Sequence, residues 1–158
     1  MKRTFLIALL SCLLIAGSAP AAQKIPATPP AKTKCPVCGM FVAKYPDWAA
    51  SITFRDSTRV HFDGPKDLFT FYIDPGRYAP ARKQADIADI RVKDYYSLAI
   101  VYGRRALYVI GSNVLGPMGK ELVPFAGKED ADGFMRDHRG VKVLRFNDIT
   151  RSVLKGLE

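Results

Sequence analysis

A ten-residue segment of this 158-residue chain occurs twice, and the repetition restricts the folds that the chain can adopt. Residues 62–71 align without gaps on residues 125–134, with four identical positions. In each copy a strand-like pattern ends at Phe-x-Gly and a helical pattern with charged residues follows. Two copies about 63 residues apart do not make a solenoid, so they predict a duplicated ββαβ unit. Chance similarity of two strand-to-helix turns is the alternative.

Apolar patterns elsewhere predict further strands and helices, and therefore a mixed α+β protein with a single domain. The strand patterns are Ala49–Phe54, Arg59–Phe62, Ile87–Val92, Ser97–Tyr102, Ala106–Ile110 and Val141–Phe146, and the helical patterns are Pro65–Ile73, Lys128–His138 and Asn147–Leu157. Asp63 is the predicted N-cap of the first helix. Gly103-Arg104-Arg105 is predicted to form a tight hairpin between two strands.

The N-terminal residues have the pattern of an export signal. Lys2 and Arg3 precede the apolar segment Phe5–Ala16, and small residues follow it, as in a secretory signal peptide. A transmembrane helix needs about 20 apolar residues, more than this segment has. Residues 1–21 are therefore predicted to be removed on export to the periplasm. Residues 22–34, rich in Pro and Ala, predict an extended tether, and residues 35–158 suffice for one domain.

Cys12 allows a second interpretation of the same segment, because Leu9-Leu10-Ser11-Cys12 loosely resembles a bacterial lipobox. Lipid on Cys12 would anchor the protein to a membrane. We expect soluble export instead, since the apolar stretch before Cys12 is short and Leu13-Leu14-Ile15 continues it. Cleavage after residue 21 leaves Cys35 and Cys38 as the cysteines of the mature protein.

The net charge of +9 indicates an anionic membrane surface or an acidic protein as partner. Nucleic acid is disfavoured, because basic residues are interspersed with acidic ones, as in Lys66-Asp67 and Lys128-Glu129-Asp130, and form no stripe. Export also removes the usual nucleic-acid targets. Most of these charges are expected to be solvated.

The segment 35–40, Cys-Pro-Val-Cys-Gly-Met, carries the clearest chemistry. Cys35 and Cys38 can hold one metal ion between them, and Met40 adds a thioether. Thiolate and thioether ligands are soft and select Cu(I), which accepts two or three ligands. Met118, in the turn-rich segment Gly116–Gly119, is a further candidate ligand, with loop filler as the alternative.

Other kinds of site also use such a motif. Exported thiols oxidise readily, so a disulfide between Cys35 and Cys38 is one alternative. A thioredoxin-like redox site requires the motif to open a helix after a strand, whereas the tether precedes it here. A structural zinc site needs four ligands, and His61 and His138 lack the spacing of a finger or ribbon. Both histidines are expected to be structural residues.

Taken together, these features resemble the NosL family of copper chaperones for nitrous oxide reductase. The resemblance covers about residues 35–146 and is carried by Cys35-Pro36-Val37-Cys38-Gly39-Met40, Phe62-Asp63 before a helix, Gly116-Pro117-Met118-Gly119, and Phe134 with Val143-Leu144-Arg145-Phe146. It implies two ββαβ units related to the organomercurial lyase core. It also implies Cu(I) binding in the periplasm and copper delivery to the reductase, an enzyme of denitrification.

The chain departs from that family in two respects: typical members have a clear lipobox, and many have one cysteine in the metal motif. The predicted function is that of a metallochaperone, not an enzyme, in which Cu(I) moves from Cys35, Cys38 and Met40 to a partner by ligand exchange. The alternatives are a thiol oxidoreductase, a structural zinc or disulfide domain, and an organomercurial-cleaving enzyme. The last would need an acid–base group beside the thiolates, for which Asp63 is the candidate.

Overall fold

The computed structural model describes residues 29–158. The predicted signal peptide, the lipobox at Cys12 and the tether up to residue 28 lie outside the described residues. Within residues 29–158 there is no helix of the length and apolarity needed to cross a bilayer.

The described residues form a single mixed α/β domain, as the sequence predicted. Its strands are β1 (Ala50–Phe54), β2 (Arg59–Phe62), β3 (Ile87–Lys93), β4 (Ile100–Tyr102), β5 (Leu107–Ile110), β6 (Leu115–Gly116), β7 (Gly119–Lys120), β8 (Val123–Phe125) and β9 (Lys142–Arg145). Its helices are α1 (Pro65–Ile73), α2 (Pro75–Tyr78), α3 (Lys128–Asp137) and α4 (Arg151–Lys155). Short 3₁₀ helices cover Val42–Lys44, Gln84–Asp86 and Phe146–Asp148.

Two antiparallel sheets organise the domain. The first has the order β2-β1-β3-β4, and the second has the order β8-β5-β9. In both, a central strand pairs with the strand before a helix and with the strand after it: β1 with β2 and β3 around α1, and β5 with β8 and β9 around α3. Strands β6 and β7 form a separate small hairpin between β5 and β8.

Aromatic side chains join the two sheets. Phe69 on α1 packs edge-on against Tyr108 on β5, with ring centroids 5.0 Å apart, and against Phe146 at the same distance. On another face of α1, the buried Phe71 packs edge-on against Phe62 of the first sheet. Helix α1 therefore packs on side chains from both sheets, and a shift of its first turn is resisted by a fully buried aromatic core.

The predicted hairpin at Gly103-Arg104-Arg105 is wrong. Strand β4 pairs with β3 in the first sheet, whereas β5 belongs to the second, so the turn carries the chain between sheets. Gly103 holds this crossing in place: its N–H donates to the Ile90 carbonyl (2.8 Å), and its own carbonyl accepts from the Tyr108 hydroxyl (2.7 Å). A Cβ at residue 103 would lie 2.6 Å from an Ile90 methyl, so only glycine fits.

The N-cap prediction for Asp63 is also wrong. Gly64 is the N-cap of α1, in extended conformation and without a side-chain cap hydrogen bond. The Asp63 carboxylate is engaged by a cysteine instead. The predicted C-terminal helix is shorter than its pattern, because Phe146–Asp148 is a 3₁₀ turn and α4 begins only after Thr150, whose hydroxyl caps the Val153 N–H.

Candidate metal centre

The segment Cys35–Met40 is a closed loop. The Cys35 N–H donates to the Met40 carbonyl (2.8 Å), the Gly39 N–H donates to the Cys35 carbonyl (2.9 Å), and an antiparallel bridge joins Lys34 to Phe41 just outside. Gly39 has a φ of 79°, which favours glycine at this position. The loop is therefore held by its own backbone and presents both thiols from a fixed frame.

Two carboxylates meet this loop from the start of α1. The Cys35 thiol donates to Asp67 Oδ2 (3.2 Å), and the Cys38 thiol donates to Asp63 Oδ1 (3.3 Å). Asp63 is fully buried and Asp67 is 7% exposed. One sulfur or oxygen atom of each residue lies within 4.8 Å of those of the other three. The four side chains thus form a compact group with the ligand atoms of a metal site.

Burial favours the protonated forms of Cys35, Cys38 and Asp67. Removal from water raises the pKa of the Cys35 thiol far above its usual range and that of Cys38 to about 12, and the Asp67 carboxylate adds to both shifts. Burial also raises the pKa of Asp67 itself. Backbone N–H groups of the loop act in the opposite direction, because they favour the thiolates. Without metal both thiols are protonated at neutral pH, and a metal ion must displace their protons.

One oxygen of the group has no partner. Asp63 Oδ2 is buried and has no hydrogen-bond partner within residues 29–158. An unsatisfied buried acceptor costs about 1–3 kcal/mol, and natural proteins rarely retain one without a reason. A cation among the four side chains would offset this cost, so the orphaned oxygen fits a metal site.

The two thioether candidates, Met40 and Met118, differ in location and in exposure. Met40 is half-buried, and its backbone N–H favours the thiolate form of Cys38, which acts to lower the pKa of that thiol. Met118 lies in the turn between β6 and β7 with 46% of its surface exposed. The Lys66 ammonium on α1 donates to the Met118 carbonyl (2.7 Å), so this turn contacts the helix start that bears Asp67. The ligand roles of Cys35, Cys38, Met40 and Met118 stay predictions.

Sequence patterns did not single out Asp67 or Glu121. Asp67 stands four residues after Asp63, a spacing that puts both on one side of a helix start, and this is the signal that could have found it. Glu121 is 3% exposed, and its Oε1 accepts from the backbone N–H of Lys66 (2.5 Å) and of Leu122 (2.9 Å). Burial raises the pKa of Glu121 to about 8. A single acid between Lys120 and Leu122 gives no sign of this role.

The histidines are outside the group. His61 lies half-buried on β2, where burial and the nearby Arg59 lower its pKa. His138 ends α3 and stacks on Phe134 with centroids 4.4 Å apart. A zinc site built on these histidines therefore finds no support. Two sulfurs and two carboxylate oxygens still meet the ligand count of zinc, so ligand number alone does not select the metal.

The thioredoxin-like alternative fits poorly. The loop is followed by the 3₁₀ turn Val42–Lys44 and not by an α-helix. Redox-active thiols have lowered pKa values, whereas those of Cys35 and Cys38 are raised. Both cysteines are free thiols in the structure.

Comparison with known proteins gives a consistent result. The sequence model of the NosL family matches residues 26–154. The copper-binding lipoprotein NosL of Stutzerimonas stutzeri is 25% identical over 124 residues, which are 77% of this chain and 64% of that protein. This chain thus spans less than two thirds of that relative.

One solved structure has a similar fold, and a second gives a weaker superposition. The crystal structure of the copper chaperone NosL from Shewanella denitrificans superimposes with a TM-score of 0.65 at 26% identity, covering 78% of this chain and 93% of that one. The solution structure of apo-NosL from Achromobacter cycloclastes gives a TM-score of 0.48 at 26% identity, covering 66% and 87%.

Proposed function

Because the chain belongs to the NosL family, we propose that it binds Cu(I) as cargo and passes it to a copper-receiving partner protein. The observation that carries this proposal is the packing of two thiols against two buried carboxylates at the start of α1. Relatives described as copper-binding and as a copper chaperone support the choice of metal.

The proposed Cu(I) ligands are the sulfurs of Cys35, Cys38, Met40 and Met118. Two thiolates bind a soft monovalent ion strongly, and neutral thioethers add ligands without adding negative charge. In the metal-free protein Asp63 and Asp67 hold the protonated thiols together through the hydrogen bonds described above, and these bonds end when Cu(I) displaces the thiol protons. Such neighbours of a ligand commonly affect metal affinity by 10- to 100-fold.

Transfer by ligand exchange requires that part of the site be reachable. Cys35 is buried, whereas Cys38 is partly exposed and Met118 nearly half exposed. A partner ligand would therefore first replace Met118 or Cys38, and Cys35 would release the ion last. No covalent bond of an organic substrate changes in this step.

We propose nitrous oxide reductase as the recipient, on the strength of the family, and the periplasm as the compartment. Both the pattern of residues 1–21 and the lipoprotein nature of the relative from Stutzerimonas stutzeri favour export. The intact mass of exported protein decides the form. Loss of residues 1–21 is expected, and a lipid adduct on Cys12 or retention of Met1 would contradict soluble export.

Delivery is tested by mixing the protein, loaded with one equivalent of Cu(I), with copper-free nitrous oxide reductase and measuring copper in each after separation. Copper is expected to move to the reductase faster than from a Cu(I) chelate of equal affinity. Equal rates would mean that the chain only stores copper, and no movement would reject delivery.

The two ββαβ units are proposed to be copies of one ancestral unit. The matching orders β2-β1-β3 and β8-β5-β9, and the alignment of residues 62–71 with 125–134, support this. In this account the first copy bears the copper loop and the second contributes Met118.

A second candidate function gains support from the position of the carboxylates. Cleavage of a carbon–mercury bond needs two thiolates to bind mercury and an acid to protonate the departing carbon, and Asp63 and Asp67 lie beside the thiols. The products would be a hydrocarbon and a mercuric dithiolate. Release of benzene from phenylmercury that is lost in Asp67→Asn would establish it, and mercury binding without benzene would exclude it.

A further inference from the structure

Two hydrogen bonds tie the β6–β7 hairpin region to the first turn of α1. Glu121 Oε1 accepts from the Lys66 backbone N–H (2.5 Å), and the Lys66 ammonium donates to the Met118 carbonyl (2.7 Å). The hairpin lies in the second half of the chain, and α1 in the first. Lys66 therefore donates one hydrogen bond to each end of the short segment Met118–Glu121.

The Glu121 side chain packs directly against the backbone of two glycines. A Cβ on Gly64 would overlap a carboxylate oxygen of Glu121, and a Cβ on Gly116 would lie 2.8 Å from its Cγ. Neither glycine has a positive φ, so the requirement at both positions is space. The Glu121 side chain thus fills the gap between the start of α1 and the hairpin, with glycine on both sides.

Glu121 also substitutes for a missing helix cap. Gly64 offers no side chain to accept from the first-turn N–H groups of α1, and the Glu121 carboxylate accepts from one of them. The same carboxylate accepts from the Leu122 N–H, which fixes the point where the chain leaves the hairpin for β8. One buried side chain therefore sets the position of the hairpin relative to Asp63 and Asp67.

We propose that Glu121 is a positioning residue for the copper site, which keeps Met118 within reach of an ion held by Cys35 and Cys38. The inference rests on the proposed function, because it takes Met118 as a copper ligand. The ionic state of Glu121 is immaterial to it, since only the acceptor oxygen and the side-chain volume are used. An isosteric amide provides the same acceptor oxygen and volume, whereas an apolar side chain provides no acceptor.

The test is a double-mutant cycle on Cu(I) affinity, measured by competition with a chromophoric Cu(I) chelator on exported protein. Met118→Leu is made in wild type and in the Glu121→Leu and Glu121→Gln backgrounds. It is expected to weaken Cu(I) binding by about tenfold in wild type and in Glu121→Gln, and by less than about threefold in Glu121→Leu. Thermal unfolding of each variant is measured in parallel, since a merely structural role changes stability without changing the effect of Met118.

Lys66→Met provides a second route if Glu121→Leu does not fold. It retains most of the half-buried stem and removes only the ammonium that holds the Met118 carbonyl. The effect of Met118→Leu is expected to fall below about fivefold in this background.

The outcomes separate this inference from the proposed function. A tenfold effect of Met118→Leu that persists in Lys66→Met and in folded Glu121→Leu overturns the positioning role and leaves copper binding intact. No effect of Met118→Leu in wild type overturns it as well and removes Met118 from the ligand set. Absence of Cu(I) binding in wild type rejects the proposed function itself.

Discussion

The turn that begins α1 and the turn that begins α3 share a backbone and differ in chemistry. Both helices start after an extended glycine without a side-chain cap: Gly64 has φ −156° and ψ 165°, and Gly127 has φ −119° and ψ 154°. Each turn follows the phenylalanine that ends a strand, Phe62 or Phe125, and both phenylalanines are fully buried. The backbone is therefore similar at the two turns.

The side chains at matching positions have opposite environments. Asp63 corresponds to exposed Ala126, and buried Asp67 corresponds to exposed Asp130. No thiol faces the second turn, because both cysteines within residues 29–158 lie on the loop against the first. The fold alone thus does not bring thiols and carboxylates together; the loop at Cys35–Met40 does so where it meets the buried carboxylates.

Removal of a thiol should have the largest effect on Cu(I) affinity, because it leaves the first turn without a pair of thiols, as the second turn is. Cys35→Ser and Cys38→Ser each remove an anionic soft ligand, so Cu(I) affinity is expected to fall by about 1000-fold or more, roughly 4 kcal/mol. Chelator competition measures this, with circular dichroism to verify folding. An affinity within tenfold of wild type in both variants would place copper elsewhere.

Substitutions at the matching positions 63 and 126 test whether the carboxylate at the first turn affects Cu(I) binding. Asp63→Ala gives the first turn the residue of the second and removes the buried oxygen Asp63 Oδ2, for which a bound cation would be the partner, so Cu(I) affinity should fall by about 10- to 100-fold. The control Ala126→Asp adds a carboxylate to the second turn, where no thiol faces it, and should leave affinity unchanged. Equal effects of both changes would show that overall charge, not the local contact, controls binding.

The contribution of the hairpin is tested by one pair of methionines. Met118→Leu retains the volume and removes the sulfur, so Cu(I) affinity should fall by about tenfold while stability changes by less than about 1.5 kcal/mol. Met135→Leu is the matched control, because Met135 lies on α3 and packs against the buried cluster that contains Phe125 and Phe134. If the two substitutions change affinity alike, Met118 is loop filler.

The smallest effect concerns the pH dependence of stability and Glu121, which joins the hairpin to the start of α1. Burial raises the pKa of Glu121 from 4.5 to about 8, so between these values the folded protein holds a proton that the unfolded chain has lost. Stability conferred by this group is therefore complete below pH 4.5 and is lost as pH rises towards 8. Glu121→Gln removes that loss. Urea unfolding at pH 5 and pH 8 should show a smaller decrease in the variant.

The matched control for this experiment is Glu129→Gln, because Glu129 is exposed at the start of α3. It should show the pH dependence of wild type. Parallel stability curves for wild type and Glu121→Gln would mean that the Glu121 carboxyl titrates normally in the folded protein.

Much of the fold was predictable because local patterns coincide with buried faces. The helix Pro65–Ile73 and the strand Arg59–Phe62 have the predicted bounds, and the loop that meets the two buried carboxylates is the one that Cys35 and Cys38 singled out in the sequence. The crossing at Gly103 was not predictable, because a tight turn looks the same in sequence whether the next strand pairs with the previous one or joins another sheet. The difference lies in contacts of Gly103 with Ile90 and Tyr108, which are distant in sequence.

The two carboxylates beside the thiols were only partly predictable from the sequence, for the same reason. Asp63 was considered as an N-cap and as an acid–base group, and Asp67 was attributed to surface charge beside Lys66. Their burial follows from the docking of the loop at residues 35–40 on α1, a tertiary contact between segments about 30 residues apart. Glu121 depends on an even longer contact, across 55 residues to Lys66.

Metal competition is the decisive test of whether the Cys35–Met40 loop and the first turn of α1 bind copper. Exported protein is titrated with Cu(I) and Zn(II) in the presence of a chelator for each, and the Cys35→Ser/Cys38→Ser double variant is treated identically. The expected result is one Cu(I) per chain, held more tightly than Zn(II), and no specific copper in the double variant. Tighter retention of Zn(II), or copper that remains in the double variant, would contradict the account.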